Sequence, residues 1–291
     1  MPLEHVRTFR VRYYECDALG HVRGVNLLRY MQEAAFDASA AAGYDLARYD
    51  AMKRLWLVRE TDIASLQPLK YGDSVAVKTW VADFRRVRSR RMYEVRLASS
   101  GELVASASTD WVFLDAATGR PATIPSDLIA AFFPEGVPDH ALPRERSISA
   151  PPAPAGAFTV RRRVTWRDID AARHVNNSNY LAYAEDCAAQ AMAAHGWLLE
   201  RMLSEGITLV ARRHQIAYLQ PALLDDELEL ATWASDVTDE SFMRHTTITR
   251  VSDGTRLAQA HSAYGWFDLA TEKPVRIPTA LMIDLTPDIA A

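Results

Sequence analysis

Between Asp168 and Tyr180 the chain reads DIDAARHVNNSNY, gathering a carboxylate, an imidazole and several amides just ahead of an Ala-rich segment. Asp170 is the carboxylate best placed for chemistry, because a carboxylate can attack an electrophilic carbon directly or act as general base on a water. If a helix begins within this run, its first backbone N–H groups are unpaired and partly positive, and can stabilise an anion formed beside them. Asn and Ser are suitable caps for such a helix. His174 and Asn176 are then candidates for orienting the carboxylate or its water. The same residue types also build turns and helix caps that do no chemistry. Upstream, CDALGHVRGVNLLRY from Cys16 to Tyr30 looks like a worn copy, keeping Asp17 and His21 but not the Asn pair.

That likeness extends along the whole chain. At a constant offset of 153 residues, the distance from Asp17 to Asp170, the two halves align block by block. Leu66–Phe84 falls on Leu219–Val237, with Leu, Gln, Pro, Asp, Thr, Trp and a second Asp coinciding. Asp115, Pro121 and Pro125 fall on Asp268, Pro274 and Pro278, and His21, Asn26, Tyr30 and Gly43 on His174, Asn179, Tyr183 and Gly196. One offset held across so many separate blocks marks a tandem duplication. The Pro-rich stretch between the halves reads as an extended, exposed linker. The expected division is a first domain over 1–135, a linker over 136–156 and a second domain over 157–291.

Each half shows the same elements. An alternating run comes first, RTFRVRYYE in one and FTVRRRVTW in the other, and reads as a strand. A helix follows, over about 25–42 and 179–195, with Gly43 and Gly196 at its C-terminal end. Four strand-like runs come next, near 54–66, 73–83, 88–98 and 102–114 and their counterparts, with SSGE and SDGT as hairpin turns. The second helix is small or apolar around nearly its whole circumference, which predicts burial on most sides. One long helix with five or more antiparallel strands is the α+β arrangement of a curved sheet wrapped around a helix, here duplicated.

Composition sets limits on the function. The 291 residues are 49% apolar and 24% charged, an ordinary globular balance. A net charge of −4 gives no reason to expect nucleic acid as partner, and no apolar run is long enough to span a membrane. The N-terminal residues lead directly into strand-like sequence, so no signal peptide is expected. Two cysteines without a spaced framework suggest a reducing compartment, with the cytoplasm as default. His174 has no second His or Cys at ligand spacing, so no metal or other cofactor is expected.

With these residues in view, the chain resembles the hotdog thioesterase superfamily over nearly its whole length apart from the linker. Asp170, His174, Val175, Asn176, Asn177 and Tyr180 form a pattern similar to that of bacterial acyl-CoA thioesterases of the 4-hydroxybenzoyl-CoA thioesterase type. The two-half plan and the segments RYYECDALGHVRGVNLLRYMQEAA, LDAATGRPATIP and FDLATEKPVRIP resemble the acyl-acyl-carrier-protein thioesterases of bacteria and plastids. The chain departs from the plastid pattern at Ala172, where those enzymes have Asn, and at Ala222 and Leu223, where they have a Glu-Cys pair. The resemblance implies a double hotdog fold and hydrolysis of an acyl-carrier-protein or CoA thioester to a free carboxylic acid. It further implies Asp170 as general base or nucleophile, His174 and Asn176 lining the site, and an intramolecular pseudo-dimer in which the loop of one half faces the helix of the other. Further self-association is left open. Two other readings are a hotdog dehydratase or hydratase, for which no GDxNPxH-like segment is present, and a non-catalytic acyl-binding module.

Other residues follow from this frame. Asn177, Tyr180 and Glu185 are candidate substrate contacts, with packing and an ordinary helix carboxylate as the alternatives for Tyr180 and Glu185. FRRVRSRR (Phe84 to Arg91) holds five arginines, against one in its counterpart VTDESFMR. Arg85, Arg86 and Arg88 are therefore candidate contacts to CoA phosphates or to an acidic carrier protein, and a solvated strand face is the alternative. Asp17 and His21 are expected to be a degenerate counterpart whose half helps to wall the acyl pocket.

Overall fold

The computed structural model describes residues 1–137 and 148–290. The chain divides into two compact units, Met1–Arg146 and Ser147–Ala291. The first unit contains β1 (Glu4–Arg10), α1 (Gly24–Ala41), α2 (Leu46–Ala51), β2 (Arg54–Ser65), β3 (Ser74–Phe84), β4 (Arg88–Leu97), β5 (Leu103–Asp115) and α3 (Ser126–Phe132). The second contains β6 (Phe158–Arg163), α4 (Asn177–Ala194), α5 (Leu199–Ser204), β7 (Ile207–Tyr218), β8 (Glu227–Ser235), β9 (Ser241–Arg250), β10 (Arg256–Asp268) and α6 (Thr279–Leu285). The strands of the first unit lie in the order β1-β3-β4-β5-β2, those of the second in the order β6-β8-β9-β10-β7. Neighbours within each unit are antiparallel. Each unit is thus a helix on an antiparallel sheet, with the same topology.

Period-2 alternation sets the inner face of each sheet. In β3 the buried residues are Val75, Val77, Thr79, Val81 and Asp83, and in β4 they are Ser89, Arg91, Tyr93 and Val95. Such alternation places every second side chain on one face of the pleat. One end of the first unit is closed by Tyr44, Phe113, Ile124, Leu128, Phe132 and Phe133. Met192, Trp197, Phe242, Trp266, Leu281 and Leu285 form the corresponding core of the second. Both long helices stop in one way. Gly43 and Gly196 take φ of 80° and 78°, a left-handed conformation that glycine adopts without a Cβ penalty. Their carbonyls accept hydrogen bonds from Arg48 (2.9 Å) and Arg201 (3.2 Å), whose guanidinium groups lie over Tyr44 and Trp197.

The expected strands near 54–66, 73–83, 88–98 and 102–114 match β2 to β5 within a residue at each end. Four differences stand out. The first strand of each half is shorter than its alternation suggests, because Tyr13–Glu15 and Trp166–Asp168 turn into 3₁₀ helices. The helix expected from 179 begins at Asn177, capped by the Asn176 side chain. It buries one broad face and leaves Asp186, Ala189 and Gln190 exposed. Alanine fits exposed and buried positions alike, so an Ala-rich circumference did not report burial. The short helices α2, α3, α5 and α6 were not anticipated.

The linker expected over 136–156 falls partly on 138–147, outside the described residues. Of its remainder, Ile148 donates its N–H to Gln215 Oε1 (2.6 Å), and a Cβ at Gly156 would lie 2.4 Å from the Pro287 carbonyl oxygen. This part of the chain is packed onto the second unit rather than fully exposed, since its backbone groups find partners there. No helix among the described residues is long and apolar enough to cross a membrane.

Candidate active site

The loop from β6 to α4 is built from below by Asp168. Its carboxylate accepts from Thr165 N–H (2.8 Å) and Thr165 Oγ1 (2.6 Å), closing the 3₁₀ turn. Its backbone carbonyl accepts from Asn176 N–H (2.9 Å) and Asn179 Nδ2 (3.0 Å), tying the turn to the start of α4. Burial raises the Asp168 pKa, but the Thr165 bonds, the Tyr183 hydroxyl and Arg162 outweigh it, so the carboxyl titrates below its usual range. Glu15 does the same work in the first unit, accepting from Arg12 N–H (2.7 Å) and from the Tyr30 hydroxyl. This anchor explains why Asn26/Asn179 and Tyr30/Tyr183 coincide in the repeat.

On that base Asp170 is half-buried, its side chain 26% exposed. Oδ1 accepts from Ala172 N–H at 2.9 Å and Oδ2 from Asn176 Nδ2 at 3.2 Å. The loop closes with Asp170 N–H to the His174 carbonyl (3.0 Å), and Arg173 takes φ of 65° at the turn. His174 Nδ1 lies 3.2 Å from the Val175 carbonyl and 3.9 Å from Asp170 Oδ1. A carbonyl only accepts, so the Val175 contact assigns the proton to Nδ1 and leaves Nε2 as an acceptor. The structure therefore brings Asp170, His174 and Asn176 into one cluster.

The Asn176 side chain makes three hydrogen bonds, two to Ser178 and one to Asp170. Its Oδ1 accepts from Ser178 N–H (3.0 Å) and Ser178 Oγ (2.7 Å), capping α4, while its Nδ2 reaches Asp170. The first unit shows what this contributes. Asp17 Oδ1 accepts from Leu19 N–H (2.8 Å) and His21 N–H (2.9 Å), so the turn itself is kept there. Arg23 occupies the position of Asn176, and the N-terminus of α1 has no side-chain cap. The Asp turn is thus common to both units. A carboxylate joined to a helix cap belongs to the second.

Tyr180 is buried, with its hydroxyl accepting from Ala222 N–H (2.8 Å), and the Ala222 carbonyl accepts from Val175 N–H (2.9 Å). Tyr180 thereby pins the site loop to the segment before β8, and burial pushes its phenol up to about 12. Ala222, one of the departures noted above, contributes backbone atoms only. Asn177 opens α4 in a half-buried position. Glu185 lies two turns further on, 26% exposed, with Oε1 3.9 Å from His214 Nε2. His214 was not singled out from sequence. The available signal was a histidine at a β7 position occupied in the first half by Thr61.

The arginine run is not one patch. Arg85 and Arg88 close the β3–β4 turn through their backbones (2.7 and 3.3 Å), and the side chains of Arg85, Arg86 and Arg88 are exposed. Arg90 forms a two-pronged pair with Asp110 (2.9 and 2.8 Å). Arg91 is buried on the inner face against Phe132. All belong to the first unit, whereas Asp170 belongs to the second. Among the described residues no group of His, Cys, Asp and Glu is arranged to hold a metal ion.

Comparison with known proteins adds the family. The acyl-ACP thioesterase N-terminal domain model matches residues 2–132, and the thioesterase-like superfamily model matches residues 164–285. A chloroplastic acyl-[acyl-carrier-protein] hydrolase of Cuphea viscosissima is 26% identical over 210 residues, covering 67% of this chain and 46% of the relative. The chain spans about half the length of the curated relatives it matches. Among solved structures, the 12:0-ACP thioesterase of Umbellularia californica aligns with a TM-score of 0.70 at 19% identity, covering 93% of this chain and 94% of that one. An acyl-ACP thioesterase of Bacteroides thetaiotaomicron aligns with a TM-score of 0.68 at 18% identity, covering 90% and 97%. At such identities these likenesses speak for the fold, which is the double hotdog. With one thioesterase model over each unit and that fold throughout, the chain belongs to the hotdog-fold acyl thioesterase superfamily.

Proposed function

We propose that the second unit hydrolyses acyl thioesters, with Asp170 as the group that activates water or attacks the carbonyl carbon. The observation carrying this reading is the Asp170 carboxylate bonded to Asn176, the residue that caps α4. In the water route, Asp170 takes a proton from the water as its oxygen bonds to the carbonyl carbon. The C–S bond then breaks, the thiol leaves with a proton, and the acid is released. The oxyanion needs N–H donors at the start of α4. Ser178 N–H is held by the Asn176 side chain and Asn179 N–H by the Asn176 carbonyl, which directs this role to Asn177 N–H. His174 Nε2 serves to orient the water.

The acyl-ACP match over the first unit favours a carrier-protein thioester as substrate. The exposed Arg85, Arg86 and Arg88 turn suits the phosphate of its pantetheine arm or an acidic carrier surface. Acyl-CoA is the second reading, favoured by the broader superfamily match over the site-bearing unit and by Ala172, Ala222 and Leu223. Under both readings the enzyme works in the cytoplasm.

The test is thiol release from matched acyl-ACP and acyl-CoA panels by wild type, Asp170→Asn and Asp17→Asn. Asp170→Asn is expected to lose about 10²-fold or more of kcat, the scale of a missing general base. Asp17→Asn is expected to retain wild-type turnover. Full activity in Asp170→Asn, or no thiol release from any thioester by wild type, rejects the reading.

A further inference from the structure

Two residues before the buried Asp168, Trp166 is 79% exposed. A large aromatic ring left in water is uncommon, and a group of exposed apolar side chains marks a surface that meets a partner. Leu223 and Leu224, 48% and 40% exposed, lie on the neighbouring segment. That segment is tied to the site loop on both sides of Asp170. Val164 N–H donates to the Asp226 carbonyl (2.9 Å), and Val175 N–H to the Ala222 carbonyl (2.9 Å). Val11 N–H to Asp73 (2.8 Å) and Val22 N–H to Leu69 (2.8 Å) make the same ties in the first unit. There Tyr13 and Tyr71 hold the positions of Trp166 and Leu224, and their rings meet edge-on with centroids 5.8 Å apart. The repeat thus brings these two positions side by side.

The charges around this face distinguish the unit that carries Asp170. Arg167 and Arg173 stand where the first unit has Tyr14 and Gly20. The turn needs a left-handed residue, which the first unit supplies with Gly20 at φ of 80° and the second with Arg173 at 65°. A residue with a Cβ is disfavoured there, so the turn itself does not call for arginine. Both arginines are exposed, and neither has an ion pair among the described residues. Other charges beside them are matched, Arg163 with Asp225 (3.0 Å) and Arg250 with Asp226 (2.9 Å). Of the loop's own carboxylates, Asp168 is buried and Asp170 half-buried. The outer surface therefore presents two unmatched guanidinium groups beside an apolar face, on a chain whose net charge is −4.

Such a surface fits an acidic protein better than a nucleotide. One ring is enough to stack a base, whereas two leucines widen the apolar face beyond it. Trp and Arg carry much of the binding energy at protein interfaces. Unmatched positive charge favours an acidic partner and speeds its encounter. We infer that Trp166, Arg167, Arg173, Leu223 and Leu224 form the docking surface for the acidic carrier protein that delivers the acyl group. The thioester is then presented on the unit that holds Asp170. The inference rests on the thioesterase reading given above and adds the place where the carrier binds.

The experiment measures kcat/KM for one acyl group carried on acyl carrier protein, on CoA and on N-acetylcysteamine, with thermal melts to verify folding. The readout is the preference for the carrier-protein thioester over the N-acetylcysteamine thioester. Trp166→Ala is expected to reduce that preference about tenfold or more, mainly through KM. The double variant Arg167→Glu/Arg173→Gly is expected to reduce it by a similar factor, and its glycine keeps the left-handed turn as Gly20 does in the first unit. Tyr13→Ala, the matching change in the first unit, is expected to leave the preference as in wild type. An unchanged preference in Trp166→Ala or in the double variant overturns the proposal, and so does an equal loss in Tyr13→Ala. An equal loss on the CoA thioester also overturns it, because the patch is then a nucleotide site. A wild-type dimer that Trp166→Ala dissociates does the same, because a second copy then covers the face. If wild type hydrolyses no thioester, the thioesterase reading fails separately. Calorimetric titration of wild type and Trp166→Ala with holo acyl carrier protein then decides docking, no binding or equal affinities rejecting it.

Discussion

At the scale of single residues, Asn176 separates the two copies of the loop. Asp17 and Asp170 both accept the N–H two residues on, so the aspartate alone is explained by turn geometry. Asn176 adds a donor to the second carboxylate oxygen and an acceptor for the helix start. Replacing it by Ala removes the cap, worth about 1 kcal/mol, and frees Asp170 Oδ2 to turn away from the helix. Asn176→Ala should lower the melting temperature by a few degrees and lower kcat more than it raises KM. Asn176→Asp should keep the cap while placing a second carboxylate beside Asp170, restoring stability but not turnover. Equal activity in all three proteins, measured by thiol release beside thermal melts, would show Asn176 to be a cap only.

At the scale of elements, the two units solve the same problems with different side chains. Glu15 and Asp168 each close a 3₁₀ turn and anchor the following helix, although their side chains differ in length. Arg48 and Arg201 each cover a helix C-terminal carbonyl. The segment entering β6 is held by a close approach instead. Gly156 lies so near the Pro287 carbonyl that a Cβ would sit 2.4 Å from its oxygen. Gly156→Ala is therefore expected to destabilise the second unit by about 1–3 kcal/mol, the usual cost of overpacking. Chemical denaturation reads this directly, and an unchanged midpoint would mean that the C-terminal turn moves away without cost.

At the scale of the whole molecule, the histidines are distributed unevenly in a way that sets its response to acid. The second unit buries His214, His245 and His261, at positions where the first has Thr61, Met92 and Ser108. His245 Nδ1 lies 2.8 Å from His261 Nδ1, and His245 Nε2 lies 2.7 Å from Ser235, which in turn bonds Asp236. Burial lowers all three pKa values, to about 4 for His214 and His261; His245 lowers His261 further, while at His245 Asp236 pulls upward and Arg244 downward. Such groups are neutral in the fold and become charged in the unfolded chain below about pH 6.5, so the unfolded state binds more protons between pH 6.5 and 4. Their contribution is fully present above that window and is lost as the pH falls through it, up to about 3 kcal/mol for each fully shifted group. Melts from pH 7.5 to pH 4.5 should show a falling transition temperature, less steep in His261→Asn. A flat profile would mean that these rings titrate alike in the folded and the unfolded chain.

The tandem repeat, the hotdog elements and the Asp170–Asn177 block were legible in the sequence, because period-2 burial, Gly caps and turn chemistry are local properties of the chain. The strands β2 to β5 could be placed within a residue for that reason. The exposure of α4 was not legible, since alanine carries no burial signal. Nor was the splitting of FRRVRSRR into an exposed turn, an Arg90–Asp110 pair and a buried Arg91, which depends on which strand face each arginine meets. Residue types and spacing by themselves gave the duplication and the candidate carboxylate, and the resemblance of the motif to a known family gave the superfamily. Only tertiary structure decided that Asn176 joins Asp170 to the helix cap, and that Glu185, 15 residues beyond Asp170, faces His214. The physical reason is that hydrogen bonds across a sheet join residues far apart in sequence, and no local pattern encodes which of them will meet.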